Sequence, residues 1–146
     1  MDEAIVEYKE AIRINPEYAE VHFNLGRLYE AQGDIGNAIT KYEDAIRVKP
    51  NLSEAHTNLG NMYARQGDSD KAVFEFKESL KINPNNPLAY YNLGGIYNRL
   101  LQFHLALECY EAFIRLSPPN KTPEIELAKN NIRWIKEHVG FVKDIE

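Results

Sequence analysis

The sequence predicts an all-α solenoid of antiparallel helix pairs, with about eight helices along 146 residues. Three observations predict it. Landmark residues recur at an interval of 34: Leu25-Gly26 returns as Leu59-Gly60 and Leu93-Gly94, Tyr29 as Tyr63 and Tyr97, Ala38 as Ala72 and Ala106. Within each interval, apolar residues fall three and four apart in two separate runs, the spacing of two amphipathic helices. Chain breakers punctuate the runs, Gly33-Asp34 and Gly67-Asp68 inside the intervals and Pro50, Pro84 and Pro118 near their ends. A period of this length belongs to stacked repeats that contact mainly their neighbours.

Residues 1–18 read as the second half of a repeat. Ala4, Tyr8, Ala11 and Pro16 each stand 34 residues before Ala38, Tyr42, Ala45 and Pro50. The helix they imply runs to about Ile14, with Ile5, Tyr8 and Ile12 on one apolar stripe. In a complete repeat a preceding helix would partly cover that stripe. The expectation is therefore either a piece of a longer array or an N-terminal edge that meets another surface.

Residues 19–52 form the first full repeat. Val21, Leu25, Leu28 and Tyr29 give its first helix an apolar stripe, and Ala38, Ile39, Tyr42, Ala45 and Ile46 give the second. Gly33 supplies the positive φ that a tight turn requires, and Pro50 stops the second helix because it cannot donate a backbone hydrogen bond. Gly26 sits inside a helix, where glycine costs about 1 kcal/mol relative to alanine. Its return as Gly60 and Gly94 implies that the paired helices approach too closely there for a side chain.

Residues 53–86 repeat the plan. Residues 87–120 depart from it twice. Leu101-Gln102 replaces Gly-Asp, so a different turn backbone is expected, and Phe113 stands where Ala11, Ala45 and Ser79 are small. A ring at a close contact is expected to push or rotate the next element, because packed interiors tolerate little added volume. Residues 121–139 read as a capping helix from about Pro123 to His138, apolar along Ile125, Ala128, Ile132, Ile135 and Val139. Residues 140–146 read as a frayed tail.

These landmarks resemble the tetratricopeptide repeat (TPR) family, whose pattern is an aromatic, Leu-Gly, Tyr, Ala, an aromatic, a small residue and Pro on a 34-residue period. The resemblance covers residues 1–120 well and the last helix loosely. It implies a right-handed superhelix whose concave groove, lined by the first helix of each repeat, binds a protein partner. On that register the groove residues include Phe23, Asn24, Arg27, Glu30 and Ala31, then Thr57, Asn58, Asn61, Ala64 and Arg65, then Tyr91, Asn92, Gly95, Asn98 and Arg99.

Two ladders stand out. Asn24, Asn58 and Asn92 lie one repeat apart, as do Arg65, Arg99 and Arg133. An asparagine amide offers both donor and acceptor, and so pairs with both polar groups of an extended peptide. The first ladder resembles the asparagines that hold peptide backbone in the repeats of the O-linked N-acetylglucosaminyltransferase. The arginines suit acidic side chains on a ligand. Glu20, Glu30 and Glu54 make the N-terminal half of the groove more acidic, which would turn a ligand's negative part toward the C-terminal end. Chaperone-binding members grip a C-terminal carboxylate with Lys, Asn, Asn, Lys and Arg. Here those positions hold Phe23, Arg27, Asn58, Leu88 and Asn92, and only Asn58 fits.

Other chemistries find little support. A net charge of −5 with mixed signs gives no basic footprint for nucleic acid. No apolar run approaches a membrane span, and the acidic, amphipathic start is unlike a signal peptide. One cysteine, Cys109, forms no internal disulfide and fits a reducing, cytoplasmic setting. His22 and His56 stand one repeat apart, too far to share a metal, and read as helix-packing residues. No nucleophile elbow, phosphate loop or metal motif points to an enzyme or a cofactor. The expectation is a scaffold that binds an extended peptide or short helix. The alternatives are self-assembly through the edge formed by Ile5, Tyr8 and Ile12, or the non-catalytic array of a larger enzyme.

Overall fold

The computed structural model describes residues 2–120 and 122–139, so the expectation for the tail at 140–146 lies outside the described residues. Among the described residues the chain forms eight α-helices: α1 (Asp2–Ile14), α2 (Ala19–Ala31), α3 (Ile35–Val48), α4 (Ser53–Gln66), α5 (Ser69–Ile82), α6 (Pro87–Arg99), α7 (Phe103–Leu116) and α8 (Pro123–His138). They fall into two compact units, Met1–Pro84 and Asn85–Glu146. None is long and apolar enough to cross a membrane.

In the first unit α2 pairs with α3 and α4 with α5. The linkers leave only a few residues for the reversal, so each pair is antiparallel. The landmarks occupy the interior: Leu25, Ala38, Tyr42 and Ala45 in one pair, Leu59, Ala72, Phe76 and Ser79 in the other. Burial of such side chains supplies the main driving force, at about 25 cal/mol per Å² of apolar surface. Hydrogen bonds tie successive pairs together. Tyr63 Oη on α4 donates to Glu43 Oε1 on α3 at 2.6 Å, and Asn58 Nδ2 donates to Tyr42 Oη at 3.4 Å.

The recurrent helical glycines have the geometric reason that their return implies. A Cβ at Gly26 would lie 2.8 Å from the fully buried ring of Tyr42, and one at Gly60 would lie 3.0 Å from Phe76. In the second unit a Cβ at Gly94 would lie 3.0 Å from Tyr110. The propensity penalty of glycine is thus offset by the close seating of an aromatic ring on the helix backbone.

Gly33 and Gly67 close the first two turns in the left-handed region, at φ +77° and +85°. The aspartate after each caps the next helix: Asp34 Oδ1 accepts from Asn37 N and Asp68 Oδ1 from Lys71 N, both at 3.1 Å. The third turn corrects the expectation of a different backbone. Leu101 takes the same left-handed conformation, at φ 59°. The long backbone bond of the turn also persists, from Asp34 N to Tyr29 O, Asp68 N to Tyr63 O and Gln102 N to Tyr97 O. These bonds and the pairing of α6 with α7 outweigh the 1–2 kcal/mol or so that a non-glycine residue costs there. The Leu101 side chain escapes to solvent, 71% exposed, and Gln102 provides no side-chain cap.

Phe113 is buried on α7 against Tyr91 of its partner helix, with ring centroids 4.9 Å apart. The added volume is therefore taken up by a ring contact inside its own helix pair. Cys109 is buried, as a core residue would be.

Candidate peptide-binding face

The first helices of the pairs carry the residues expected to meet a ligand. On α2, Asn24 is half-buried and Arg27 exposed, while Phe23 packs on Tyr42 with centroids 5.8 Å apart. Tyr8, Asn24, Arg27, Leu28 and Ala31 together line a cavity of about 320 Å³. Tyr8 thus lies beside the ladder residue Asn24, although its sequence reading placed it on a self-association edge. Its companions on that edge differ from it and from each other: Ile5 is already buried within the chain, and Ile12 is half-buried. The period contained the signal for Tyr8. Tyr8 stands to Asn24 as Tyr42 stands to Asn58, 16 residues on in each case.

On α4, Asn58 and Asn61 are half-buried and Arg65 is exposed. Asn58 belongs to a relay in which its amide donates to Tyr42 Oη, and that hydroxyl donates to Glu30 Oε2 at 2.6 Å. Burial first, and then the Glu30 carboxylate, hold the Tyr42 hydroxyl well above its ordinary pKa, so it remains a donor. Thr57 departs from its expected place in the groove. It is 3% exposed, and its Oγ1 lies 2.7 Å from Ser79 Oγ on α5, where the two hydroxyls and Ser53 satisfy one another. A small hydroxyl opposite another small hydroxyl is better placed in the interior than in solvent, because both find a partner there.

The histidines serve the backbone. His22 Nε2 donates to Pro16 O at 2.8 Å, and His56 Nε2 to Pro50 O at 2.9 Å, so each helix is tied to the proline turn before it. His56 Nδ1 also lies 2.7 Å from Glu75 Oε2. Burial alone would lower the His56 pKa, but Glu75 and the Pro50 carbonyl outweigh it and the pKa rises. Among the described residues no group of three His, Cys, Asp or Glu could hold a metal ion.

In the second unit, Asn92 and Asn98 on α6 are half-buried, and Arg99 and, on α8, Arg133 are exposed. Tyr91 is half-buried over Phe113 and Tyr110. Sequence reasoning missed Asn131, whose Nδ2 donates to Tyr110 Oη at 3.2 Å from α8. It plays the part toward Tyr110 that Asn58 plays toward Tyr42. It does so from a position 21 rather than 16 residues downstream, so the 34-residue register gave no sign of it.

Comparison with known proteins bears on the fold first. A solved structure of MamA superimposes with a TM-score of 0.83 at 24% identity, covering 93% of this chain and 77% of that one. The first TPR of Spaghetti (RPAP3), solved bound to the HSP90 peptide SRMEEVD, gives a TM-score of 0.74 at 26% identity, covering 83% and 92%. No curated protein sequence matches the chain significantly. The sequence model of the TPR repeat matches residues 1–33, 26–67 and 60–100, and a further tetratricopeptide repeat model matches 88–120. With the paired helices and the seated aromatic rings, these matches make the chain a member of the tetratricopeptide repeat family.

Proposed function

We propose that the chain is a protein–protein interaction module without catalysis of its own, binding an extended peptide or short helix along the first helices of its pairs. The observation that carries this reading is the recurrence of a half-buried asparagine at one register, Asn24 and Asn58 in the first unit and Asn92 in the second. Packed helices lie about 8–10 Å apart, and an extended chain rises about 3.3 Å per residue. Asn24 and Asn58, on successive first helices of the first unit, therefore suit contacts a few residues apart on a ligand backbone. The likeness to a peptide-bound TPR at 26% identity supports the same class of ligand. The ligand of that protein is another matter, since only Asn58 here fits the carboxylate clamp of chaperone-binding members.

The test is replacement of Asn24, Asn58 and Asn92 by alanine. At about 0.5–1.5 kcal/mol for each hydrogen bond, a partner peptide selected on the wild type should bind at least tenfold more weakly. Helical content should be unchanged. Equal affinity would overturn the reading.

Self-association through α1 is a second reading, supported by two apolar side chains exposed on that helix, Val6 at 66% and Ile14 at 72%. Sedimentation that finds only monomer at the highest soluble concentration would remove it.

A further inference from the structure

The cavity lined by Tyr8, Asn24, Arg27, Leu28 and Ala31 has an uneven chemistry. Its polar groups are a phenol, an amide and a guanidinium, all able to donate hydrogen bonds, and no carboxylate lines it. Among the described residues the Tyr8 phenol and the Asn24 amide make no side-chain hydrogen bond, and Arg27 makes no ion pair. Its volume of about 320 Å³ lies at the small end of the range for ligand sites.

The molecule itself shows what such a constellation accepts. One repeat further on, the equivalent tyrosine and asparagine are Tyr42 and Asn58, and there the phenol donates to a carboxylate, Glu30 Oε2, at 2.6 Å while the amide donates to the phenol. Tyr8 and Asn24 stand at the same register with no bond between them, and Arg27 adds a side chain suited to bidentate carboxylate contact. Glu30 stands one turn beyond Arg27, but its carboxylate is engaged by Tyr42.

We propose that this cavity is a specificity subsite that takes an acidic side chain, Asp or Glu, of the bound peptide. The ligand carboxylate would accept from Tyr8 Oη and the Arg27 guanidinium, its methylene groups resting on Leu28 and Ala31. This subsite rests on the peptide-binding reading. It also places a negative ligand group against α2, whereas the acidic residues of the sequence pointed to the other end.

A library of random twelve-residue peptides displayed on phage is selected in parallel on the full wild-type chain, on Arg27→Gln and on Tyr8→Phe. Arg27 is exposed and Tyr8→Phe keeps its ring, so both variants should fold, which circular dichroism verifies. The wild type should enrich Asp or Glu at one fixed position, and the enrichment should vanish with Arg27→Gln. Changing that acid to Gln in a synthetic peptide should weaken wild-type binding about tenfold and leave Arg27→Gln binding unchanged. Tyr8→Phe should give an intermediate loss. Selected peptides with no acid preference, or a preference unaffected by Arg27→Gln, would overturn the subsite and leave peptide binding intact. A wild type that selects no peptide would overturn both.

Discussion

The α4–α5 and α6–α7 pairs follow one plan with opposite interiors. In the first, Thr57 and Ser79 face each other as hydroxyls 2.7 Å apart, and His56 meets Glu75 at 2.7 Å. In the second, the same four positions hold Tyr91 and Phe113, whose ring centroids lie 4.9 Å apart, with Tyr90 and buried Cys109. One pair closes through Gly67 and a capping Asp68, the other through Leu101 and an uncapped Gln102. The difference teaches that the landmarks Leu, Gly, Tyr, Ala and the second aromatic set the pairing. In these two pairs the intervening positions vary as matched sets, a hydroxyl against a hydroxyl and a ring against a ring. In α2–α3 the same positions hold Phe23 and buried Ala45, and the Phe23 ring packs on Tyr42 instead.

The strongest way to break this matching is to truncate one ring. Phe113→Ala should destabilise the fold by about 3–5 kcal/mol, because a buried ring leaves a cavity its neighbours only partly fill. Chemical denaturation measures it. In the polar pair, Ser79→Phe should cost about 1–3 kcal/mol by overpacking and by removing one of the hydroxyl partners of Thr57. Adding Thr57→Tyr should recover part of that loss, and simple additivity of the two changes would contradict the matched-set account.

The turns sharpen the comparison in the other direction. Leu101→Gly removes the strain of a side chain at φ 59° and should stabilise by about 1 kcal/mol, read as a higher Tm. Gln102→Asp restores the cap found at Asp34 and Asp68 and should add about 1 kcal/mol more. The smallest expected effect is that of pH. The pKa of His56 is raised in the folded chain, so its contribution is complete below the ordinary value of about 6.5. That contribution is lost as pH rises through the higher folded value. His56→Phe should flatten this slope of stability against pH, and an unchanged slope would remove His56 as its origin.

The architecture was legible in the sequence because its period was. Leu25, Gly26, Tyr42 and their repeats are packing residues, and packing geometry repeats with the chain. Side chains between the landmarks were less legible for two reasons. Thr57 looked like a groove residue by register alone, yet its polarity is satisfied inside by Ser79, a partner on another helix. Leu101 looked like a changed turn, yet backbone hydrogen bonds impose the old one. Tyr8 was recoverable from the period, since its relation to Asn24 copies that of Tyr42 to Asn58. Asn131 was not, because it reaches Tyr110 from the last helix, where the repeat register no longer holds.

The central claim is that the landmarks hold the helices, with the proposal that the half-buried asparagines of the first helices receive a peptide. Amide chemical-shift mapping of the full chain with a peptide selected on it tests that claim directly. Perturbations should concentrate on α2, α4 and α6, with side-chain shifts at Asn24, Asn58 and Asn92. Perturbations confined to α3, α5 and α7, with those asparagines silent, would contradict it.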